Sequence, residues 1–390
     1  MSISFEDTCA AETHPDADGV TGLAVLAVNS TGVPFIKKYY GRRSAIGSDK
    51  IDSTNAFWIY SITKTITAIA ALQCVERGEV QLDEPIYDIL PELKDFGVLG
   101  YDQTGNIVLT LHKEKITLRH LLSHTSGVGV DLFDPRLQAW RMSRDEHPQA
   151  FSGDSKKAYT IPLLFEPGRG WAYGGGVEWA GIAVQRLTKL KLGEYMKKNI
   201  FDPLGMTSTT FHPDKNPDIQ KHLVETSTRI SDGTLVPMTG PYPGVTEDDS
   251  DAMGLVSTVP DIAKLTADLL KETPSLLGPE YLAELFSSQF SPDSPAAKML
   301  SYGAMMYGRL TGEPYDPEKV GQAPGAYFVK KDTQGLPGGT LVMTGIANLV
   351  WFVNRDKGVG GLYASAIMPP DDAKSTELIA GFLREVFNKD

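Results

Sequence analysis

A chain of 390 residues, 41% hydrophobic and 22% charged, can bury one large core or two intertwined lobes, and its ordinary Gly and Pro usage excludes a low-complexity chain. Its net charge of −12 excludes a nucleic-acid or anionic-membrane surface, because no basic stripe is available to offset phosphates. The start lacks a basic or apolar leader and no apolar stretch approaches the length of a bilayer span, so a soluble, cytoplasmic protein is expected.

Residues 1–19 read as polar and loosely held. Apolar runs at 22–28 and 35–40 read as strands, and the turn 29–34 between them makes a hairpin. A run from Ser61 to Val75 is apolar nearly all round, reads as a buried helix, and stops at Gly78. Cys74 lies inside it as a small core residue, and Cys9 lies in the polar N-terminal segment, so the two are not read as a disulfide pair. Helices are expected at 117–123, 176–187 and 193–200, and long Pro-, Asp- and Thr-containing loops at 212–250. Short strands return at 340–346, 348–354 and 362–368, and an amphipathic helix over 371–387 closes the chain. Strands at both ends with helices between them predict an α/β (α+β) fold, an antiparallel sheet flanked by helices. Residues 1–95 and 245–390 would build the sheet domain, and 96–244 an inserted all-helical lobe over a cleft.

Three stretches carry chemistry. In Ser61-Ile62-Thr63-Lys64, a hydroxyl and an amine sit one helical turn apart on one face. If burial keeps the lysine neutral, it can take the serine's proton and turn a weak hydroxyl into an acyl-accepting nucleophile. Trp171-Ala172-Tyr173-Gly174-Gly175-Gly176 presents a phenol on a glycine-rich turn, where it can relay a proton. Met343-Thr344-Gly345-Ile346 ends a strand whose backbone N–H can face an oxyanion beside that of Ser61. Taken singly, each has an ordinary alternative: a solvated helix start, a tyrosine packed over a turn, a buried strand.

Other motifs point nowhere. His120 and His124 have helical spacing for zinc but enclose no glutamate, and they read as a helix end and turn. The acidic run 247–251 lacks the spaced ligands and glycine of a calcium loop and reads as a solvated loop. Gly174–Gly176 lacks the spacing of a dinucleotide fingerprint. No metal and no cofactor is expected.

Taken together, Phe57-Trp58-Ile59-Tyr60-Ser61-Ile62-Thr63-Lys64, the segment from Gly78 to Pro85, the segment from Ile116 to Gly127, Phe165-Glu166-Pro167-Gly168, Pro203-Leu204-Gly205-Met206 and Gly254-Leu255-Val256-Ser257-Thr258 span most of the chain. The chain resembles the class C β-lactamase-like serine hydrolases and esterases. Trp171–Gly176, and Ala347–Phe352 after Thr-Gly, look most like the fungal branch of lovastatin acyltransferase-like transesterases of secondary metabolism.

The resemblance implies a β-lactamase/transpeptidase-like fold with Ser61 as nucleophile, Lys64 as its base and Tyr173 as general acid/base. The backbone N–H groups of Ser61 and Ile346 would form the oxyanion hole. Tyr60, Trp171, Gly174, Met343, Thr344, Gly345 and Trp351 would bind substrate. Two departures matter: Met343 replaces the family's Lys or His, and Gly175 replaces its Asn. Both remove polar groups that grip an acylamino-carboxylate, which disfavours β-lactam and peptide substrates and favours a neutral, apolar acyl group. The expected activity is a serine acyltransferase with a small-molecule acyl donor and acceptor, the donor an ester or a thioester on a carrier protein. A carboxylesterase acting on a small ester or lactone is the alternative, and a catalytically silent scaffold a third.

Overall fold

The computed structural model describes residues 3–150, 152–238, 249, 254–300, 308 and 310–388. Its centre is a seven-stranded antiparallel sheet. In spatial order the strands are Pro34–Gly41, Gly22–Asn29, Val359–Ser365, Leu349–Asn354, Thr340–Gly345, Ala326–Val329 and Val320–Ala323. Gly22–Asn29 is apolar almost throughout because it lies between two strands and is covered on both faces. Its neighbour Pro34–Gly41 is an edge strand: Pro34 begins it, Lys37 and Lys38 face water, and Ile36 turns inward. In the turn between them, Asn29 Oδ1 accepts from the N–H groups of Thr31 and Val33.

Successive residues of a strand point to opposite faces, and two neighbours in the Leu349–Asn354 strand show what covers each. Trp351 donates its indole N–H to Thr266 on the Val259–Leu270 helix, 2.9 Å away. Phe352 points the other way and meets Phe382 and Phe387 of the Ala373–Phe387 helix, with ring centroids 6.0 and 5.2 Å apart. The sheet is thus sandwiched between helices. Among the described residues, no helix is long and apolar enough to cross a membrane.

Three expectations are corrected. The N-terminal segment is not loosely held: Ser4 caps a helix over Phe5–Glu12, which buries Cys9 and stacks Phe5 on Phe382 at 6.1 Å. The interior segment is not purely helical, because a hairpin of Gly97–Tyr101 with Ile107–Leu111 lies within it. The strands Val320–Ala323 and Ala326–Val329 add a hairpin that the expected strands do not include, and the Pro324-Gly325 dipeptide marks its turn. Gly325 has φ +65°, and a Cβ there would lie 2.4 Å from the Lys64 carbonyl oxygen. That close approach presses the turn against the Ser61-Lys64 helix, where Thr65 donates to the Gly325 carbonyl.

Candidate active site

Ser61 lies in a 3₁₀ turn, Tyr60–Ile62, that runs directly into the Thr63–Glu76 helix. Residues Thr63 to Val75 are all buried, so packing from every side fixes the helix and its first turn. Tyr60 holds φ +46°, a conformation bulky residues rarely adopt, and so the bend that presents Ser61 is strained. As the second residue of the turn, Ser61 has a backbone N–H with no acceptor inside it.

Tyr173 comes from the glycine-rich turn before the Gly176–Thr188 helix. The glycines are required by close approach. A Cβ at Gly174 would sit 2.1 Å from the Val128 carbonyl oxygen, and one at Gly175 would sit 2.2 Å from the Tyr159 ring. The Asn-to-Gly departure therefore has a local cause: Tyr159 occupies the space. With the turn pinned, the Tyr173 hydroxyl donates to Ser61 Oγ at 2.8 Å.

Lys64 Nζ stands 5.2 Å from the centroid of the Tyr173 ring and 3.0 Å from Glu178 Oε1. Lys64 and Glu178 side chains are each 1% exposed. Burial alone therefore does not govern the lysine, because a buried carboxylate faces it. His124 packs its ring 4.7 Å from that of Tyr173, and its Nδ1 accepts from the Gly174 N–H. Burial, and secondarily the charge of Lys64, push His124 down to about 3, so its ring is neutral.

Ser61 and Tyr173 open onto a cavity of about 320 Å³, within the usual range for small-molecule sites. Trp171, Thr344, Gly345 and Ile346 line it, as do Phe133, Leu310, Tyr327, Leu349, Val350 and Ile379, which sequence reasoning missed. Asp371 is the one charged side chain among the described lining residues.

Tyr60, Gly174, Met343 and Trp351 do not line it. Strand register explains two of these. Thr344 pairs with Val350 and Tyr327 with Val342, and all four share the cavity face, whereas Met343 pairs with Trp351 on the face toward Thr266. Tyr60 is buried, and Gly174 lies against Val128 and Gly129. Ile346 follows directly on the Thr340–Gly345 strand, at the level of the Ser61 turn.

The two histidines serve different neighbourhoods. His120 Nδ1 accepts from the N–H of Thr117, the residue that caps the Leu118–Leu122 helix, while His124 lies under Tyr173. Of the acidic run 247–251 only Asp249 is among the described residues, and it is buried and bonded to His212 at 2.6 Å, not solvated.

Residues 10–383 match the Beta-lactamase family. The chain belongs to that family. It is 32% identical to the acyltransferase calJ of Penicillium decumbens over 92% of this chain and 87% of that protein. It is 31% identical to the lovastatin esterase of Penicillium rubens over 96% of each. A solved variant of simvastatin synthase (LovD) from Aspergillus terreus superimposes with a TM-score of 0.87 at 27% identity, over 99% of this chain and 94% of that one. The chain is thus a serine enzyme of the Beta-lactamase family, with the expected β-lactamase/transpeptidase-like fold.

Proposed function

We propose that the protein is a serine acyltransferase that forms an acyl-Ser61 intermediate and passes the acyl group to a small-molecule alcohol or amine of secondary metabolism. The observation that carries this is the Tyr173 hydroxyl bonded to Ser61 Oγ at 2.8 Å, at the wall of a largely apolar cavity. Ser61 Oγ attacks the carbonyl carbon of an ester or thioester, and its proton is taken up by the Tyr173-Lys64 centre. The N–H groups of Ser61 and Ile346 stabilise the tetrahedral oxyanion. The leaving oxygen or sulfur departs with the proton, and the acceptor enters by the reverse of these steps.

The lining supports a neutral acyl group. No lysine, arginine or histidine lines the cavity among the described residues, so nothing there grips a substrate carboxylate. A β-lactam or peptide acid is disfavoured on the same ground. Residues 96–244 would form one wall of the cleft, and 1–95 with 245–390 the other. A donor carried as a thioester on a carrier protein fits a cytoplasmic setting.

Hydrolysis is the second reading, favoured by the 31% identity to a lovastatin esterase along nearly the whole chain. The same residues serve both reactions, and only exclusion of water from the acyl-enzyme separates them. Competing an alcohol or amine acceptor against water with a short acyl thioester decides between them. Acceptor-dependent product at the expense of free acid supports transfer, and free acid alone at every acceptor concentration assigns an esterase.

A further inference from the structure

An oxyanion hole needs two N–H groups that stay in place while the carbonyl oxygen between them gains charge. Ser61 takes its position from the buried helix that follows it. Ile346 has no such support. It opens a short turn, 346–348, beyond the last pair of the Thr340–Gly345 and Leu349–Asn354 ladder, Gly345 with Leu349. Gly345 brings this turn against the Ser61 segment: a Cβ there would lie 3.0 Å from the Ile59 carbonyl oxygen.

What holds the turn is Asn348. It is buried and has φ +61°, a left-handed conformation that asparagine tolerates better than most side chains. Its Nδ2 donates to the carbonyls of Ile367 and Pro369 at 2.8 and 2.9 Å, and its Oδ1 accepts from the Asp371 N–H at 2.9 Å. The Ser365 hydroxyl reaches the carbonyls of Ala347 and Asn348 at 3.2 and 3.1 Å, and the Ile367 N–H donates to Ala347 at 3.3 Å. The segment that makes these bonds is itself fixed. Ile367 and Met368 pair with Ser227 and Thr228, and Asp372 caps the last helix while paired with Arg229. The turn is thus fastened through Ala347 and Asn348, whereas the Ile346 N–H donates to no carbonyl among the described residues. A donor left unspent at a cavity wall is available to a substrate oxygen.

We propose that Asn348 is a positioning residue of acyl transfer: its side-chain amide fixes the turn so that the Ile346 N–H meets the carbonyl oxygen of the acyl group on Ser61. The inference rests on the serine acyl-transfer reading above, in which Ser61 and Ile346 are the oxyanion donors. As the bond from Oγ to the acyl carbon forms, the carbonyl π pair moves to oxygen, and the two N–H groups meet the charge there. Asn348 acts through Ile346, because both of its Nδ2 hydrogens are spent on the 367–371 segment.

The test is the kinetics of Ser61 acylation by a short acyl thioester in wild type, Asn348→Gly and Asn348→Asp, with binding of an alkyl trifluoromethyl ketone measured in parallel. Ser61 adds to that ketone, whose oxygen then takes the oxyanion position. Glycine keeps the left-handed backbone and removes the amide. Aspartate keeps an acceptor for the Asp371 N–H and loses both donors. In each variant kcat for acylation falls about 10- to 100-fold with KM unchanged, and ketone affinity falls by a matching factor. Unchanged kcat and ketone affinity in the folded variants overturns the inference, as does a loss confined to KM. A role in stability alone lowers the unfolding temperature and leaves both values in place. If neither variant folds, Ser365→Ala decides, because it loosens the same turn by removing one hydroxyl: kcat and ketone affinity fall together by a smaller factor, and no change in either overturns the inference. Absence of any acyl-Ser61 in wild type would instead defeat the acyl-transfer reading itself.

Discussion

Two buried ion-pair networks in this protein differ in how completely they are satisfied. In the 128–160 region, Asp131 uses both carboxylate oxygens, accepting from Arg141 Nε and from the backbone N–H groups of Gln149 and Ala150. Arg141 also donates to Glu146 and to the carbonyls of Lys157 and Ala158. This network closes on itself and ties the Pro135–Met142 and Ser155–Tyr159 helices to the loop between them. At the Ser61 centre, one Glu178 oxygen has no partner among the described residues, Tyr60 is held at φ +46°, and the Tyr173 hydroxyl donates to Ser61 at the cavity wall. A closed network holds a loop in place. An open one keeps polar capacity and strain where a reaction can use them.

Substitutions should separate the two along that line. Ser61→Ala removes the atom that would carry the acyl group, and turnover should fall by about 10⁴-fold or more with the fold intact, as read by thioester consumption and thermal unfolding. Tyr173→Phe should lower turnover by about 10²- to 10³-fold with little change in KM. Arg141→Met acts on the closed network instead. It strands the buried carboxylate of Asp131 and should cost about 3–5 kcal/mol in denaturant unfolding, with Ser61 acylation by the folded protein unchanged.

The smallest expected effect is at Glu92, whose hydrogen bonds with Arg186 lower its carboxyl to about 2. A depressed folded-state value gives stability that is present above the ordinary 4.5 and lost as pH falls toward 2. Because both partners are partly exposed, Glu92→Gln should cost about 1–2 kcal/mol at neutral pH, and the difference from wild type should vanish in acid. A difference independent of pH would contradict the ion-pair account.

What the sequence made legible follows from distance along the chain. Ser61 and Lys64 are one helical turn apart, and Tyr173 is marked by its glycines, so local rules single out all three as candidates, and the structure brings them together. Glu178 was hidden because its meaning lies 114 residues away, across a helix contact that no local pattern records. His124 was read as a turn residue, and its φ of +58° agrees, but its contact with Tyr173 is tertiary. Met343 shows the limit of motif reading in a strand. A position in the motif does not say which face it takes, and a shift of one residue exchanges the cavity for the core. The N-terminal helix escaped because its apolar face is narrow: Phe5 meets Phe382 of the last helix, and Cys9 is its one fully buried residue.

The most direct test of the central claim is intact-mass spectrometry of the protein mixed with a short acyl thioester, with Ser61→Ala in parallel. The account predicts one acyl increment on wild type, none on the variant, and discharge of the adduct when an alcohol or amine is added. An increment of equal size on Ser61→Ala, or none on wild type with any donor, would contradict it.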